Sequence, residues 1–413
     1  MKAISRGRIS HPLAREFMWL VQSTFVALSD RSKIEKFELV FARSVGRQYC
    51  TAFPLARVGI HSILKSLNLP KGTKILMPTV SIKGILDVVL DLGLEPIFVD
   101  LELETFNWDE NQLNKILTKK PKVAILTYLF GRVPNLNFIL KKLRDENIFV
   151  IEDFSQAWNA THNDCKVGQL GDVSIYSTSS LKSIDTFGGG LVLTDNAKFN
   201  EKLKHIQDNL AKPRRLKLIK KITVSLLKNL LTQPFVFTPL VFPVIKYNAS
   251  RNNKFERFVG NRDQNPISTL PNDWFCKYTS FQANIGLYMI KHAEKTDPKR
   301  ILIGEKYLKQ SKSIQDVNKL KSFGQSVYWQ YIVIVKNYSS FKVELQREGI
   351  DTGLTSLVNL SELPNYRILN GFPNAAKLYN NGAYIPCFAQ LTIRDIERVL
   401  GALTKLKQTH LNF

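Results

Sequence analysis

From about residue 37 onward, short unbroken apolar runs alternate with stretches in which apolar residues recur every three or four positions. The runs are KILMPTV (74 to 80), EPIFVDL (95 to 101), KVAILTY (122 to 128), IFVIED (148 to 153), VSIYST (173 to 178) and GGLVLTD (189 to 195). Between them, GILDVVLDLGL and LNFILKKLRDEN carry helical spacing. Unbroken apolar runs of this length suit strands covered on both faces, and their alternation with helices predicts βα units around a mostly parallel sheet. From about residue 264 the chain continues with helices (FQANIGLYMIKHAEK, RILIGEKYLKQS), a strand (VYWQYIVIV, 327 to 335) and a last helix (TIRDIERVLGALTKL), a pattern suited to a smaller α+β domain. The expected organisation is an N-terminal extension (1–36), a large α/β domain (37–205), an insert (206–262) and a small C-terminal domain (263–413). In the extension, FMWLVQSTFVAL (17 to 28) is short and broken by Gln22, Ser23 and Thr24, so it reads as an amphipathic helix rather than a span.

Composition narrows the class. With 44% hydrophobic residues in 413, the chain can bury a large core. Its four cysteines fall in no metal-ligand spacing, which argues against a disulfide framework and a metal site and for a reducing, cytoplasmic setting. No GxGxxG opens a helix after the first strand, so a dinucleotide site lacks its fingerprint. The net charge of +23 is uneven: residues 211 to 262 hold twelve Lys or Arg against Glu256 alone. No nucleic-acid-binding module accompanies that charge, and no nucleic-acid partner is expected.

Within the insert, RRLKLIKKITVSLLKNLLTQPFVFTPLVFPVIKY (214 to 247) begins as a basic amphipathic helix. Residues 216, 219, 223, 226, 227 and 230 share one face, and Lys217, Lys221, Ser225, Lys228 and Asn229 the other. Pro234, Pro239 and Pro243 then each remove a backbone donor and disfavour a straight spanning helix. Two readings stand: a helix lying on an anionic membrane, peripheral on its inner face, or a lid or dimer arm packed on protein.

Ligands of parallel α/β sheets bind beyond the carboxyl ends of the strands. There the pattern gathers Asp153 and Gln156 after IFVIE, Ser177 through Lys182 after VSIY, and Thr79 with Ser81 after KILMP. A lysine moved out of water loses part of its affinity for a proton and becomes ready for Schiff-base chemistry. A carboxylate in the same cleft can hold a pyridine nitrogen in its protonated form, and hydroxyls with glycine-exposed N–H groups suit a phosphate. Together these residue types describe a pyridoxal phosphate site.

The same residues resemble the DegT/DnrJ/StrS family of fold-type-I sugar aminotransferases, from about Phe37 to Leu406 without the insert. The likeness is most specific in GDVSIYSTSSLKSIDTFGGGLVLTD (171 to 195): Gly-Asp, Tyr176-Ser177, a lysine five residues after that serine, then Gly189-Gly190 before a strand. IEDFSQAWNA, LPKGTKILMPTVS, EPIFVDLELETFNWD and YTSFQANIGL are similar to further family segments. The resemblance implies an α/β fold of the fold-type-I kind with pyridoxal 5'-phosphate as cofactor. Lys182 would form the Schiff base and shuttle protons, Asp153 would hold the pyridine nitrogen, Gln156 the ring hydroxyl and Ser177 the phosphate. It also implies transfer of an amino group, from glutamate, to a keto group of a nucleotide-linked or lipid-linked sugar, in a homodimer with sites at the interface. The chain departs from the family at Ala56-Arg57, where Gly-Thr or Gly-Arg contacts phosphate, and at Ile82, where an aromatic covers the ring. It departs again at Thr178-Ser179-Ser180, where Phe-His-Pro is frequent, and at Phe275, near where an asparagine reaches across the dimer. Two alternatives are a weakly active or non-catalytic membrane-associated homologue and a sugar dehydratase, although the dehydratases replace the lysine with histidine.

Overall fold

The computed structural model describes residues 2–249, 265–312, 324–363, 366 and 371–410. Seven strands form the main sheet: β1 (Tyr49–Phe53), β2 (Lys74–Pro78), β3 (Glu95–Val99), β4 (Val123–Thr127), β5 (Phe149–Asp153), β6 (Val173–Ser177) and β7 (Gly190–Thr194). Their order across the sheet is β1-β7-β6-β5-β4-β2-β3. Strands β2 to β6 run parallel, while β7 is antiparallel to both its neighbours, β6 and β1. Every residue of β6 and β7 is buried, which is why these segments read as unbroken apolar runs rather than as alternating ones. Strand β1 (YCTAF) was not among the expected strands; its short, mixed sequence gains its place by pairing with β7, Phe53 opposite Gly190.

Helices cover both faces. On one lie α3 (Ala56–Ser66), α4 (Lys83–Asp91) and α7 (Ala197–Asp208); α2 (Arg31–Val45), α5 (Glu110–Leu117) and α6 (Asn137–Asp145) complete the large domain. Gly59 lets α3 approach the sheet, since a β-carbon there would come within 2.8 Å of Ile175 and 3.0 Å of Val192.

The small domain has a three-stranded antiparallel sheet of β8 (Tyr331–Ile334), β9 (Gly353–Leu354) and β10 (Gly382–Ile385), in the order β8-β10-β9, packed with α10 (Tyr338–Arg347), α11 (Pro373–Asn381) and α12 (Ile393–His410). The two helical patterns around residue 298 form one helix, α9 (Ser280–Lys312), with Pro298 inside it. VYWQYIVIV is strand only from Tyr331 to Ile334; Tyr328 takes a left-handed conformation (φ 53°), which turns Val327–Gln330 into a loop.

The first 36 residues are packed into the fold. Ile4 bridges to Ile350 and the Arg6 guanidinium pairs with Asp351 at 2.7 Å, tying the N-terminus to the small domain. Helix α1 (Leu13–Ser23) then packs against α8 (Arg215–Leu231) of the insert. The face of α8 turned to protein is Leu218, Ile222, Ser225 and Asn229, which corrects the sequence reading on both sides. Ser225 and Asn229, assigned there to the polar face, are buried, and Leu216, Leu227 and Leu230, assigned to the apolar face, are exposed. The reason is a polar attachment: the Asn229 side-chain N–H₂ donates to Glu16 Oε2 at 2.6 Å and to the His11 carbonyl at 3.0 Å. The prolines do not abolish helix; Pro234–Val236, a π-helical turn Phe237–Val241 and Phe242–Ala249 follow α8 at a bend of 63°. Arg251, Lys254, Glu256, Arg257 and Arg262 lie outside the described residues.

Candidate active site

Parallel strands β5 and β6 bring Asp153 and Ser177 to the same edge of the sheet, with Asp153 aligned to Ile175 on one side and Thr127 on the other. Ser155 stitches these strand ends together. Its N–H donates to Asp153 Oδ1 at 3.0 Å, and its hydroxyl accepts from the Ser177 N–H at 2.9 Å. Ser177 and Ser179 share a hydroxyl–hydroxyl bond of 2.9 Å.

The loop from Thr178 to Gly189 is pinned at its base. The Thr178 carbonyl accepts from the N–H groups of Thr186 and Gly188, and the Gln282 amide donates to the carbonyls of Gly188 (2.6 Å) and Thr186 (3.0 Å). Leu181, at φ 71°, is left-handed, a conformation that non-glycine residues take rarely. The turn it makes carries Lys182 inward, where the side chain is 4% exposed. Its amino group stands 3.7 Å from the centre of the Trp329 ring, and the Trp329 indole N–H donates to the Leu181 carbonyl at 2.9 Å. Burial pushes the Lys182 pKa down to about 7; Asp153 opposes that fall and Arg300 adds to it. Burial likewise raises the Asp153 carboxyl above its ordinary value, against its bonds to Ser155 and the attraction of Lys182. Two buried groups of opposite charge thus influence one another, with the lysine brought to where it can give or take a proton near neutral pH.

Beneath Lys182, Ser183 donates to Asp297 Oδ1 at 2.9 Å and accepts from Arg300 at 3.3 Å. Burial raises Asp297 to about 6, with Arg300 and Ser183 opposing. The loop 179–181 separates two cavities. One of about 420 Å³ is lined by Ser180, Leu181, Trp329, Arg300 and Arg8; another, of about 1000 Å³, is lined by Ser179, Ser180, Gly188, Arg214, Lys221 and Lys228.

Of the residues singled out in the sequence, Lys182, Asp153 and Ser177 meet here. Gln156 is buried beside them, but its side-chain carbonyl accepts from the Phe130 N–H at 2.8 Å and thereby holds that left-handed residue in place. Ala56 begins α3, and Gly190 packs so closely on its backbone that a β-carbon could not be accommodated. Arg57 is drawn elsewhere: its guanidinium lies 4.4 Å over the Trp274 ring and against Gly84. Ile82 precedes α4 and is 42% exposed, whereas the ring found against Lys182 is Trp329. Trp329, Ser155 and Arg300 were missed by sequence reasoning. Only Trp329 carried a signal, as an aromatic in VYWQY, and it was absorbed into a strand.

The described residues fit pyridoxal phosphate. Lys182 is buried with its amine against the Trp329 ring, and the Thr127 hydroxyl, beside Asp153, is buried without a partner. Ser177, Ser179 and the N-terminus of α3 offer hydroxyls and backbone donors for a phosphate.

Comparison with known proteins places this geometry. Residues 11–222 and 252–404 match the sequence model of the DegT/DnrJ/EryC1/StrS aminotransferase family. The chain belongs to that family. Its cofactor is pyridoxal phosphate, and its mixed α/β architecture is that of fold-type-I aminotransferases. It is 24% identical to an uncharacterized protein of Methanocaldococcus jannaschii over 91% of this chain and 90% of the other. It is 29% identical to the GDP-perosamine synthase of Escherichia coli O157:H7, over 45% of this chain and 51% of that enzyme. A DegT DnrJ EryC1 StrS aminotransferase from Brucella abortus superposes with a TM-score of 0.72 at 19% identity, covering 96% of this chain and 95% of the other. This DegT-family protein is an aminotransferase of the sugar type.

Proposed function

We propose that this aminotransferase moves an amino group from an amino acid, glutamate being the expected donor, to a keto group of a nucleotide-linked or lipid-linked sugar. Lys182 is the catalytic residue, and the protein works in the cytoplasm as a homodimer. One observation carries the reading: a lysine buried over Trp329, with its pKa brought to about 7 and Asp153 near enough to oppose that fall.

The cofactor, when bound, supplies an electron sink on which the carbon next to the transferred nitrogen can be deprotonated. Lys182 anchors it and handles that proton; near neutral pH the amine is present in both free and protonated forms, as a residue that must accept and then return a proton requires. Asp153, oriented by Ser155, holds the ring nitrogen, and Ser177 with Ser179 binds the phosphate. Gln156 positions the backbone at Phe130 and has its amide nitrogen left for the ring hydroxyl. Trp329 excludes water from the amine. Retention of a lysine at 182 disfavours the dehydratase reading.

Two half-reactions through one lysine imply ping-pong kinetics. The cofactor-loaded protein is therefore expected to change its visible absorbance on adding glutamate and to recover it on adding a keto-sugar. Lys182→Ala should lose both responses, and Asp153→Asn should slow them roughly 100-fold or more. Tightly bound cofactor that no amino donor alters would establish a non-catalytic homologue instead.

A further inference from the structure

The insert presents a surface that the proposed chemistry does not use. With its protein-facing stripe given to Leu218, Ile222, Ser225 and Asn229, α8 turns Leu216, Leu227 and Leu230 to solvent. The bent continuation adds Phe235, Leu240 and Val244. Three of these are more than three-fifths exposed: Leu216 at 81%, Phe235 at 68% and Leu240 at 65%. Helix α1, packed alongside, exposes Phe17 and Val21, with Phe25 just beyond it. Exposed apolar side chains gathered on two adjoining segments mark an interaction site.

Charge selects the partner. From residue 209 to 249 the chain has no Asp or Glu, and Lys212, Arg214, Lys220, Lys228 and Lys246 are exposed along the same segment. A two-fold contact between copies would set this basic strip against itself. A lipid surface with acidic headgroups offers acyl chains to the leucines and phenylalanines and anions to the lysines. Lys220, exposed on α8 where it borders the cavity beside Ser179 and Ser180, has a stem long enough to lift its ammonium to headgroup level. Among the described residues no single helix is long and apolar enough to cross a membrane, while α8 and the segment up to Tyr247, bent by 63°, together meet that hydropathy. That shape suits insertion from one side.

We infer that the face formed by α8, residues 234–247 and the exposed side of α1 docks the enzyme onto an anionic membrane surface. The cavity beside Ser179 and Ser180 is bordered by α8 itself, through Leu216, Lys220, Lys221 and Lys228, so docking would set the site next to the bilayer. Under the aminotransferase reading this favours a lipid-linked sugar as acceptor; the docking itself does not depend on that reading.

The test is co-sedimentation of the cofactor-loaded full chain with vesicles of phosphatidylcholine alone and of phosphatidylcholine with phosphatidylglycerol. Binding is expected only to the anionic vesicles, weakening with salt and by roughly fivefold for each charge removed in Lys220→Gln and Lys228→Gln. The pair Leu227→Asp and Phe235→Asp should abolish binding while circular dichroism and cofactor absorbance stay unchanged. Equal binding to neutral vesicles, or undiminished binding by the aspartate variant, would overturn the inference. So would failure to bind vesicles together with conversion of a dimer to a monomer by those aspartates, which would make the face a contact between copies.

Discussion

Replacing Lys182 by methionine should make the cofactor-free protein more stable, although it removes the proposed catalytic group. The charged amine is buried, and a fall of its pKa from the ordinary lysine value of 10.5 to about 7 measures the penalty. At 1.36 kcal/mol per pKa unit this is about 5 kcal/mol against the charged form. The sign follows from proton binding: between pH 7 and 10.5 the unfolded chain holds a proton on this lysine that the folded chain has released, so stability rises with pH across that window. Below pH 7 both states are protonated and the full penalty applies. Methionine fills a similar volume without charge. Urea unfolding of the apo proteins should therefore show Lys182→Met more stable by about 5 kcal/mol near pH 6, with the advantage narrowing to roughly 2 kcal/mol by pH 9 and vanishing above the ordinary lysine pKa. A variant less stable than the parent, or an advantage independent of pH, would refute the claim that this amine is held in the interior against its charge.

Two further outcomes test the surroundings. Trp329→Ala should admit water to Lys182 and raise its pKa, moving the lower limb of the pH–rate profile to higher pH by about one unit; movement to lower pH would mean that the ring's attraction for the cation outweighs its exclusion of water. Asn229→Ala removes the donor to Glu16 and His11, leaves a buried carboxylate short of a partner, and should cost about 2–3 kcal/mol, with α8 becoming susceptible to limited proteolysis while the sheet stays protected.

Much of this protein was legible without coordinates, for a physical reason. Strands buried on both faces must be apolar throughout, so β2 through β7 announced themselves. The end of a parallel strand is where a ligand can reach polar atoms, so Asp153, Ser177 and Lys182 stood out by position and chemistry together. Local sequence could not supply what arises between distant segments. Trp329 lies over Lys182 only because the small domain folds back onto the large one, and the left-handed Tyr328 gave no periodic signal. Arg57 was well placed at the start of α3 but was captured by Trp274 across the fold. The orientation of α8 was decided by tertiary contact too: helical spacing distinguishes a greasy face from a polar one, whereas Glu16 and His11 on a neighbouring segment determined that Asn229 went inward and the leucines outward. Sequence alone thus determined the sheet, the edge where its polar residues gather and the lysine beside it, because these depend on burial and order along the chain. Only the tertiary structure decided what surrounds that lysine and which face of the insert meets solvent, because both depend on partners that the chain brings together from far apart.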